Sequence, residues 1–234
     1  MKAGVVRFPG SNCDEDAYRA VTDTLGHEAV YLWHKDHDLQ DADLIVLPGG
    51  FSYGDYLRPG AIARFSPIMQ EVVAFAKRGG PVLAICNGFQ IACEAGLLPG
   101  ALLRNSSLRF VSAPVHLRVE TIATPFTSRY HLHEVITVPI AHGDGRFTAD
   151  ADVLARIEGE GQVVFRYVNA AGEATPASNP NGTMRNIAGI INANGNVLGM
   201  MPHPERAMEP LLGSTGGVAL FASIFDHLLA SVSA

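Results

Sequence analysis

Cysteine is scarce in this chain, and an excess of basic residues is missing. Only three of the 234 residues are cysteine, an odd number and far too few for a disulfide-stabilised scaffold. The 17 basic and 23 acidic side chains give a formal net charge of −6, which argues against charge-driven binding to nucleic acid or anionic lipid. No run approaches the roughly 20 apolar residues that span a bilayer, and the N-terminus lacks a secretion-signal pattern. We therefore expect a reduced, cytoplasmic, globular protein without nucleic-acid or membrane partners.

Two nucleotide-binding motifs are also missing. The chain contains neither the GxxxxGK[ST] phosphate loop nor the GxGxxG fingerprint, so we expect no ATP site on it. The remaining composition is that of a folded protein, with 47% apolar and 17% charged residues. The 24 glycines indicate many tight turns or close backbone approaches.

The order of strand and helix signals predicts the fold class. In the first half, short apolar runs alternate with helical patterns, which indicates a parallel sheet covered on both faces. The second half is strand-like without evident helices between its strands, until a final helix with one apolar face. We predict a three-layer αβα domain over residues 1–234, with a mostly parallel central sheet and an antiparallel elaboration. The predicted strands are 3–8, 29–33, 44–47, 81–85, 111–120, 135–140, 162–168, 187–191 and 197–201, the last two joined at Asn194-Gly195.

The segment Ala84 to Gly88 (AICNG) has the pattern of a nucleophile elbow. An apolar strand runs directly into a helix, and Cys86 stands at the corner with small residues two positions to either side. A helix N-terminus beside the sulfur favours a thiolate, and the N–H of Asn87 would face an oxyanion formed there. A buried structural cysteine that ends a strand is the alternative interpretation.

A possible base for this nucleophile follows another strand. In Pro202-His203-Pro204-Glu205 the histidine and the carboxylate are two residues apart, so in extended chain they project to the same side. The prolines stiffen the segment, and a carboxylate beside an imidazole fixes its tautomer and stabilises its charged form. Taken alone, a solvated surface turn explains the segment as well.

A third segment, Leu47-Pro48-Gly49-Gly50, ends a buried strand. Paired glycines allow backbone amides to approach a ligand closely, so this loop is a candidate for a second oxyanion donor. An ordinary turn after a strand is the alternative.

Together these segments resemble the class I glutamine amidotransferase family, which has a flavodoxin-like fold. The resemblance extends over nearly the whole chain and is closest to the branch that comprises the glutamine-hydrolysing subunits of phosphoribosylformylglycinamidine synthases, in purine biosynthesis. The segments that carry it are FPGSNCD (8–14), LPGGFSYGDYLRPG (47–60), ICNGFQ (85–90), AHGDGRF (141–147) and MPHPERA (201–207).

The resemblance implies a set of roles and partners. It implies Cys86 as nucleophile, His203 as base and acid, Glu205 as the residue that orients His203, and Gly50 and Asn87 as oxyanion donors. It implies transfer of ammonia to a large synthetase subunit that uses ATP, Mg²⁺ and formylglycinamide ribonucleotide, with a small bridging subunit in many organisms. No cofactor is expected on this chain itself. Further candidates for contacts with glutamine are Gly49, Gln90, His142 and Asp144.

Two alternative functions remain open from the sequence. One is a cysteine peptidase or deglycase-like enzyme of the same fold, although such proteins usually place histidine directly after the nucleophile, where this chain has Asn87. The other is a non-catalytic regulatory subunit, which the presence of all three segments disfavours. Cys13 and Cys93 are expected to be structural, and the spacing of His131 and His133 predicts no metal site.

Overall fold

The computed structural model describes residues 1–232, in which the chain forms eleven strands and five α-helices. The strands are β1 (Lys2–Arg7), β2 (Glu28–Trp33), β3 (Leu44–Leu47), β4 (Val82–Ile85), β5 (Ala101–Leu103), β6 (Val111–Val119), β7 (Val135–His142), β8 (Arg146–Thr148), β9 (Val163–Val168), β10 (Ile187–Ile191) and β11 (Val197–Met200). The helices are α1 (Asp14–Arg19), α2 (Pro67–Lys77), α3 (Asn87–Glu94), α4 (Ala151–Gly159) and α5 (Val218–Val232).

Nine of these strands form one sheet, in the order β2-β1-β3-β4-β11-β10-β9-β6-β7. The pairings from β2 to β11 are parallel, and the pairings from β11 to β7 are antiparallel. The predicted α/β fold is therefore confirmed, and the antiparallel elaboration continues the main sheet instead of forming a separate layer. Strands β5 and β8 make a small separate sheet.

The central strands are buried on both faces, as their sequences predict. Every residue of β3 and of β4 is inaccessible to solvent, which requires apolar side chains on both faces of the sheet. The final helix covers the sheet with the predicted face, since Phe221, Ile224 and Phe225 are buried in the core. Among the described residues, no helix is long and apolar enough to cross a membrane.

One prediction about the second half is wrong. Helix α4 lies between β8 and β9, where the sequence shows no evident helix. Val153, Leu154 and Ile157 have helical spacing and two of them are buried, so the sequence carried an amphipathic signal that the strand-like interpretation of this half overlooked.

The topology brings the candidate segments to one edge of the sheet. Strands β3, β4 and β11 are adjacent and parallel, so the loops after their carboxyl ends meet there. These loops carry Gly50, Cys86 and His203 respectively. The antiparallel end of the sheet curls back toward them, because the N–H of His203 donates to the carbonyl of Pro139 in the edge strand β7 (2.8 Å).

Candidate active site

Cys86 occupies a strained corner between β4 and α3. Its φ of 51° and ψ of −106° lie outside the regions that L residues normally adopt, at a cost of about 1–3 kcal/mol. The corner is held by its own N–H, which donates to Met200 O (2.7 Å), and by its carbonyl, which accepts from Phe89 N (3.0 Å) and Gln90 N (3.2 Å). The strand-to-helix corner expected of a nucleophile elbow is therefore present in the backbone geometry.

The elbow depends on a small residue at position 88. A Cβ built on Gly88 would overlap the carbonyl group of Leu47 in the neighbouring strand. Helix α3 can approach β3 this closely only because no side chain intervenes.

Replacing Gly88 with alanine is therefore expected to destabilise the fold. Since backbone must move to admit the methyl group, we expect the free energy of unfolding to fall by at least about 2 kcal/mol. Urea denaturation measures this change. The matched control is Gly159→Ala, where a Cβ would meet nothing within 4 Å and stability should change by less than about 1 kcal/mol. Equal stabilities of the two variants would contradict the close approach.

His203 and Glu205 form a buried pair beside the elbow. Nδ1 of His203 lies 2.6 Å from Oε1 of Glu205, and both side chains are almost completely buried. Burial alone would lower the pKa of His203, but the charge of Glu205 and then that of Cys86 raise it well above its ordinary value. Nε2 of His203 makes no hydrogen bond of normal geometry within residues 1–232, and the neighbouring thiols of Cys13 and Cys86 contribute to the raised pKa of His203.

Two backbone N–H groups border the nucleophile. Gly50 lies in the wall of the same cleft as Cys86, and its φ of 142° is one that glycine adopts readily. The hydrogen bond between this loop and Gly10 O is donated by the N–H of Phe51 (2.9 Å), so it does not use the N–H of Gly50. The N–H of Asn87, the first residue of α3, has no acceptor within the helix. Within residues 1–232 neither the Gly50 N–H nor the Asn87 N–H donates a hydrogen bond, so both groups are available to a ligand.

The cleft beside Cys86 has a volume of about 230 Å³. Its wall includes Gln90, His142 and Asp144, three of the candidates named for contacts with glutamine. The side-chain amide of Gln90 accepts from Asn87 Nδ2 (2.9 Å) and donates to Asp144 O (2.6 Å), so it joins the elbow helix to the loop after β7. Gly49 lies behind the cleft wall, where a Cβ would come within 2.7 Å of His203 Cε1.

His142 is a neutral, buried residue. Its Nε2 lies 3.0 Å from Nδ2 of Asn181, and burial followed by the charge of His203 lowers the pKa of His142 to about 4. Asn181 Nδ2 also donates to Gly145 O (2.8 Å), which identifies this atom as the amide nitrogen and Nε2 of His142 as the acceptor.

Two asparagines that sequence reasoning missed organise this region. Asn105 is completely buried; its Nδ2 donates to Arg109 O and His142 O (2.9 Å each), and its Oδ1 accepts from Gly145 N (3.0 Å). Asn181 is the partner of His142 described above. In the sequence both asparagines stand out only as the first residues of N-x-[ST] tripeptides. Such a local motif does not indicate hydrogen bonds to residues that are distant in the chain, so nothing in the sequence indicated their role.

Cys13 lies in a cluster with His203 and Glu205, outside the cleft wall. Each of the three residues offers one atom that can bind a metal ion, and these atoms lie within 4.8 Å of one another. However, Nη2 of Arg206 lies 3.1 Å from Cys13 Sγ, which places a positive charge where a cation would bind. Burial raises the pKa of the Cys13 thiol, and burial also raises that of Cys93. Cys13 is thus a neutral neighbour of the imidazole.

A buried elbow cysteine, an imidazole beside a carboxylate, and two nearby N–H groups have the chemistry that cysteine-dependent acyl transfer requires. A family model described as a CobB/CobQ-like glutamine amidotransferase domain matches residues 1–216, and the chain belongs to this family.

Close relatives share nearly the whole length of the chain. A Salinibacter ruber protein named phosphoribosylformylglycinamidine synthase subunit PurQ is 58% identical and is matched over 96% of both chains. A protein of the same name from Chlorobaculum tepidum is 59% identical, with 97% of both chains covered. The solved structure titled PurLQS from Thermotoga maritima contains a chain that is 47% identical, with a TM-score of 0.86 over 97% of this chain and 98% of that one. A Thermotoga maritima glutamine amidotransferase at 17% identity and a TM-score of 0.60 supports the fold alone.

Proposed function

We propose that this chain is the glutamine-hydrolysing subunit of a phosphoribosylformylglycinamidine synthase. The observation that carries the proposal is the arrangement of Cys86, His203 and Glu205 at the carboxyl ends of adjacent strands, in a chain 58% identical to a relative with that name. The whole chain acts as a single amidotransferase domain, and the three free thiols are consistent with a cytoplasmic location.

In the first half-reaction, Cys86 forms a thioester. The Cys86 thiolate attacks the side-chain amide carbon of glutamine, and the new C–S bond leaves an oxyanion that the N–H groups of Gly50 and Asn87 stabilise. The C–N bond then breaks, and the His203 imidazolium donates its Nε2 proton to the departing nitrogen, which leaves as ammonia. Glu205 stabilises the imidazolium through the 2.6 Å contact with Nδ1.

In the second half-reaction, water replaces the thiolate. Neutral His203 takes a proton from water as its oxygen bonds to the thioester carbon, and the C–S bond breaks to release glutamate and regenerate the thiolate. The same oxyanion donors serve both steps. Of the remaining predicted residues, Gln90, His142 and Asp144 line the glutamine cleft, while Gly49 lies against His203 behind its wall.

The ammonia is used on another subunit. We infer that a large synthetase binds ATP, Mg²⁺ and formylglycinamide ribonucleotide and converts the ribonucleotide to formylglycinamidine ribonucleotide, and that a small bridging subunit completes the complex. Support comes from the relatives' names and from the PurLQS title of the structural match. This chain carries no phosphate-loop motif, so no cofactor is assigned to it.

Isotope transfer in the reconstituted complex tests this proposal. With glutamine labelled with ¹⁵N at the side-chain amide, we expect one labelled nitrogen in the formylglycinamidine product and one glutamate released for each product molecule. The control is the same complex supplied with unlabelled ammonium salt at high pH, which should support synthesis without glutamine. Synthesis with the ammonium salt but none with glutamine would contradict the assignment.

A further inference from the structure

The 50–57 loop, which lies after β3, has a strained backbone. Tyr53, Asp55 and Leu57 adopt positive φ values of 54°, 54° and 71°, which residues other than glycine rarely do. Such strain persists only where the surrounding structure over-determines the backbone, and it concentrates at functional sites. This loop belongs to the active site, because Gly50 at its start and Asp55 near its end both line the cleft.

Two N–H groups of the 50–57 loop fasten it to its neighbours. The N–H of Tyr53 donates to the carbonyl of Pro9, in the segment after β1 (2.6 Å). The N–H of Ser52 donates to the side-chain Oδ1 of Asn87 (3.1 Å). The loop is therefore tied directly to the residue whose own N–H is the second proposed oxyanion donor.

The side chain of Tyr53 provides a third anchor, away from the cleft. Its hydroxyl lies 2.7 Å from Nδ1 of His34 and 2.8 Å from Oγ of Ser66, so one hydroxyl serves two partners. His34 follows β2 and Ser66 precedes α2, and both residues are buried. Tyr53 itself lies outside the cleft wall, although Phe51 and Asp55 on either side of it line the cleft.

Ser66 hydrogen-bonds to Tyr53 and not to the helix that it precedes. A serine at the N-cap position usually accepts from an N–H of the first helical turn. Ser66 occupies the N-cap of α2, but its side chain makes no such hydrogen bond, and its Oγ contacts the Tyr53 hydroxyl instead. The Ser66 hydroxyl therefore contributes to the position of the 50–57 loop and not to the cap of α2.

We propose that Tyr53 is a positioning residue for the oxyanion hole. Through His34 and Ser66 it holds the 50–57 loop in its strained conformation, and so it keeps the N–H of Gly50 in place at the cleft. Oxyanion donors are most effective when they are already in position as the charge develops. Because Tyr53 lies outside the cleft wall, it acts through the loop and not on the substrate. The inference rests on the proposed glutaminase function.

Tyr53→Phe removes the hydroxyl and keeps the aromatic ring. The strained loop can then relax, so in the complex with the synthetase we expect kcat for glutamine to fall about 10-fold. That loss is smaller than the roughly 10²- to 10³-fold loss that follows removal of a whole oxyanion donor. The matched control is Tyr56→Phe, which makes the same change three residues further along the loop. Since Tyr56 is 75% exposed, this control should keep kcat within about twofold.

Alkylation of Cys86 by iodoacetamide distinguishes a displaced loop from a damaged site. In this reaction the thiolate sulfur bonds to carbon as iodide leaves, and no oxyanion forms. The alkylation rate therefore reports the Cys86 thiolate, and the final extent, measured by mass spectrometry, counts the intact sites. In Tyr53→Phe we expect an alkylation rate within about twofold of that of the unmodified protein, whereas kcat per reactive Cys86 falls about 10-fold.

Ser66→Ala weakens the same anchor from its other side. Because the Ser66 side chain caps no N–H of α2, the helix should tolerate the change, and kcat per reactive Cys86 should fall about threefold. The double variant Tyr53→Phe/Ser66→Ala should lose no more than Tyr53→Phe alone, since both changes break one hydrogen bond and release one loop.

Three results would overturn this proposal while glutaminase activity stands. They are a kcat per reactive Cys86 in Tyr53→Phe within about twofold of the unmodified value, equal losses of kcat and alkylation rate, and additive losses in the double variant. Failure of the unmodified complex to release glutamate from glutamine overturns the proposed function instead. If Tyr53→Phe does not fold, the same two measurements on Ser66→Ala decide the question.

Discussion

Replacing Cys86 with alanine is expected to lower glutamate release from glutamine by at least about four orders of magnitude. The reason is that no thioester can form, and the oxyanion donors and the base cannot attack the amide by themselves. Cys86 is also the thiol in the cleft wall, whereas Cys13 lies in the cluster behind it. Glutamate release by the complex, measured with an enzyme-coupled assay, gives the size of the loss.

Two controls make the Cys86→Ala result specific. Cys93→Ala removes a thiol from the same helix, two turns away, and should keep activity within about twofold, because Cys93 lies outside the cleft wall and its thiol donates to Pro99 O (3.8 Å). Synthesis with ammonium salt should persist in the Cys86→Ala complex, which shows that the synthetase reaction is intact. Glutaminase activity that survives in Cys86→Ala would rule out the covalent mechanism.

The second large effect is expected from Glu205→Gln, which should lower kcat for glutamine about 10³- to 10⁴-fold. The neutral amide keeps the shape of the side chain but removes the charge that favours the His203 imidazolium. Burial is then no longer offset, so the pKa of His203 falls from well above its usual value toward or below it. At neutral pH the imidazole would be unprotonated and could not donate a proton to the departing ammonia.

The sign of this change can be measured directly. A pH titration of the His203 Cε1–H resonance should show that the charged form persists to a higher pH in the unmodified protein than in Glu205→Gln. The control Glu209→Gln alters an exposed carboxylate four residues further along and should leave the titration unchanged. An unchanged titration in Glu205→Gln would show that Glu205 does not hold the charge on His203.

The stability of the fold should respond to the same pair. A histidine whose pKa is raised in the folded state contributes stability below its unfolded pKa, and this contribution is lost as the pH rises through the folded value. The unmodified protein should therefore lose this contribution on the alkaline side, above the ordinary pKa of histidine. Urea unfolding at several pH values measures this loss as a fall in the free energy of unfolding. In Glu205→Gln the fall that His203 causes should be absent.

The sequence specifies the part of the site built from strand ends. Cys86, Gly50 and His203 each follow an apolar run, and the carboxyl ends of parallel strands meet at one edge of a sheet, so local patterns sufficed to bring them together. The pairing of His203 with Glu205 is also local, because extended residues two positions apart project to the same side. Helix α4 was missed although Val153, Leu154 and Ile157 have helical spacing, because the strand-like runs on either side of it dominated the interpretation of the second half.

Only the tertiary structure shows what faces these strand ends. Strand β7 is at the far end of the sheet from β4 in strand order, yet the sheet curls so that Ala141 O lies 3.8 Å from Cys86 Sγ. The loop that carries Asp144 follows β7. Asn105, in the loop between β5 and β6, is hydrogen-bonded to Gly143 and Gly145 of that loop. The hydrogen-bond partners of these side-chain amides are close in space but distant in the chain, so no sequence spacing predicts them. The sequence alone thus determined that Cys86 and His203, the proposed nucleophile and base, lie at one edge of the sheet, whereas sheet curvature and long-range hydrogen bonds decided which charged residues line the cleft beside them.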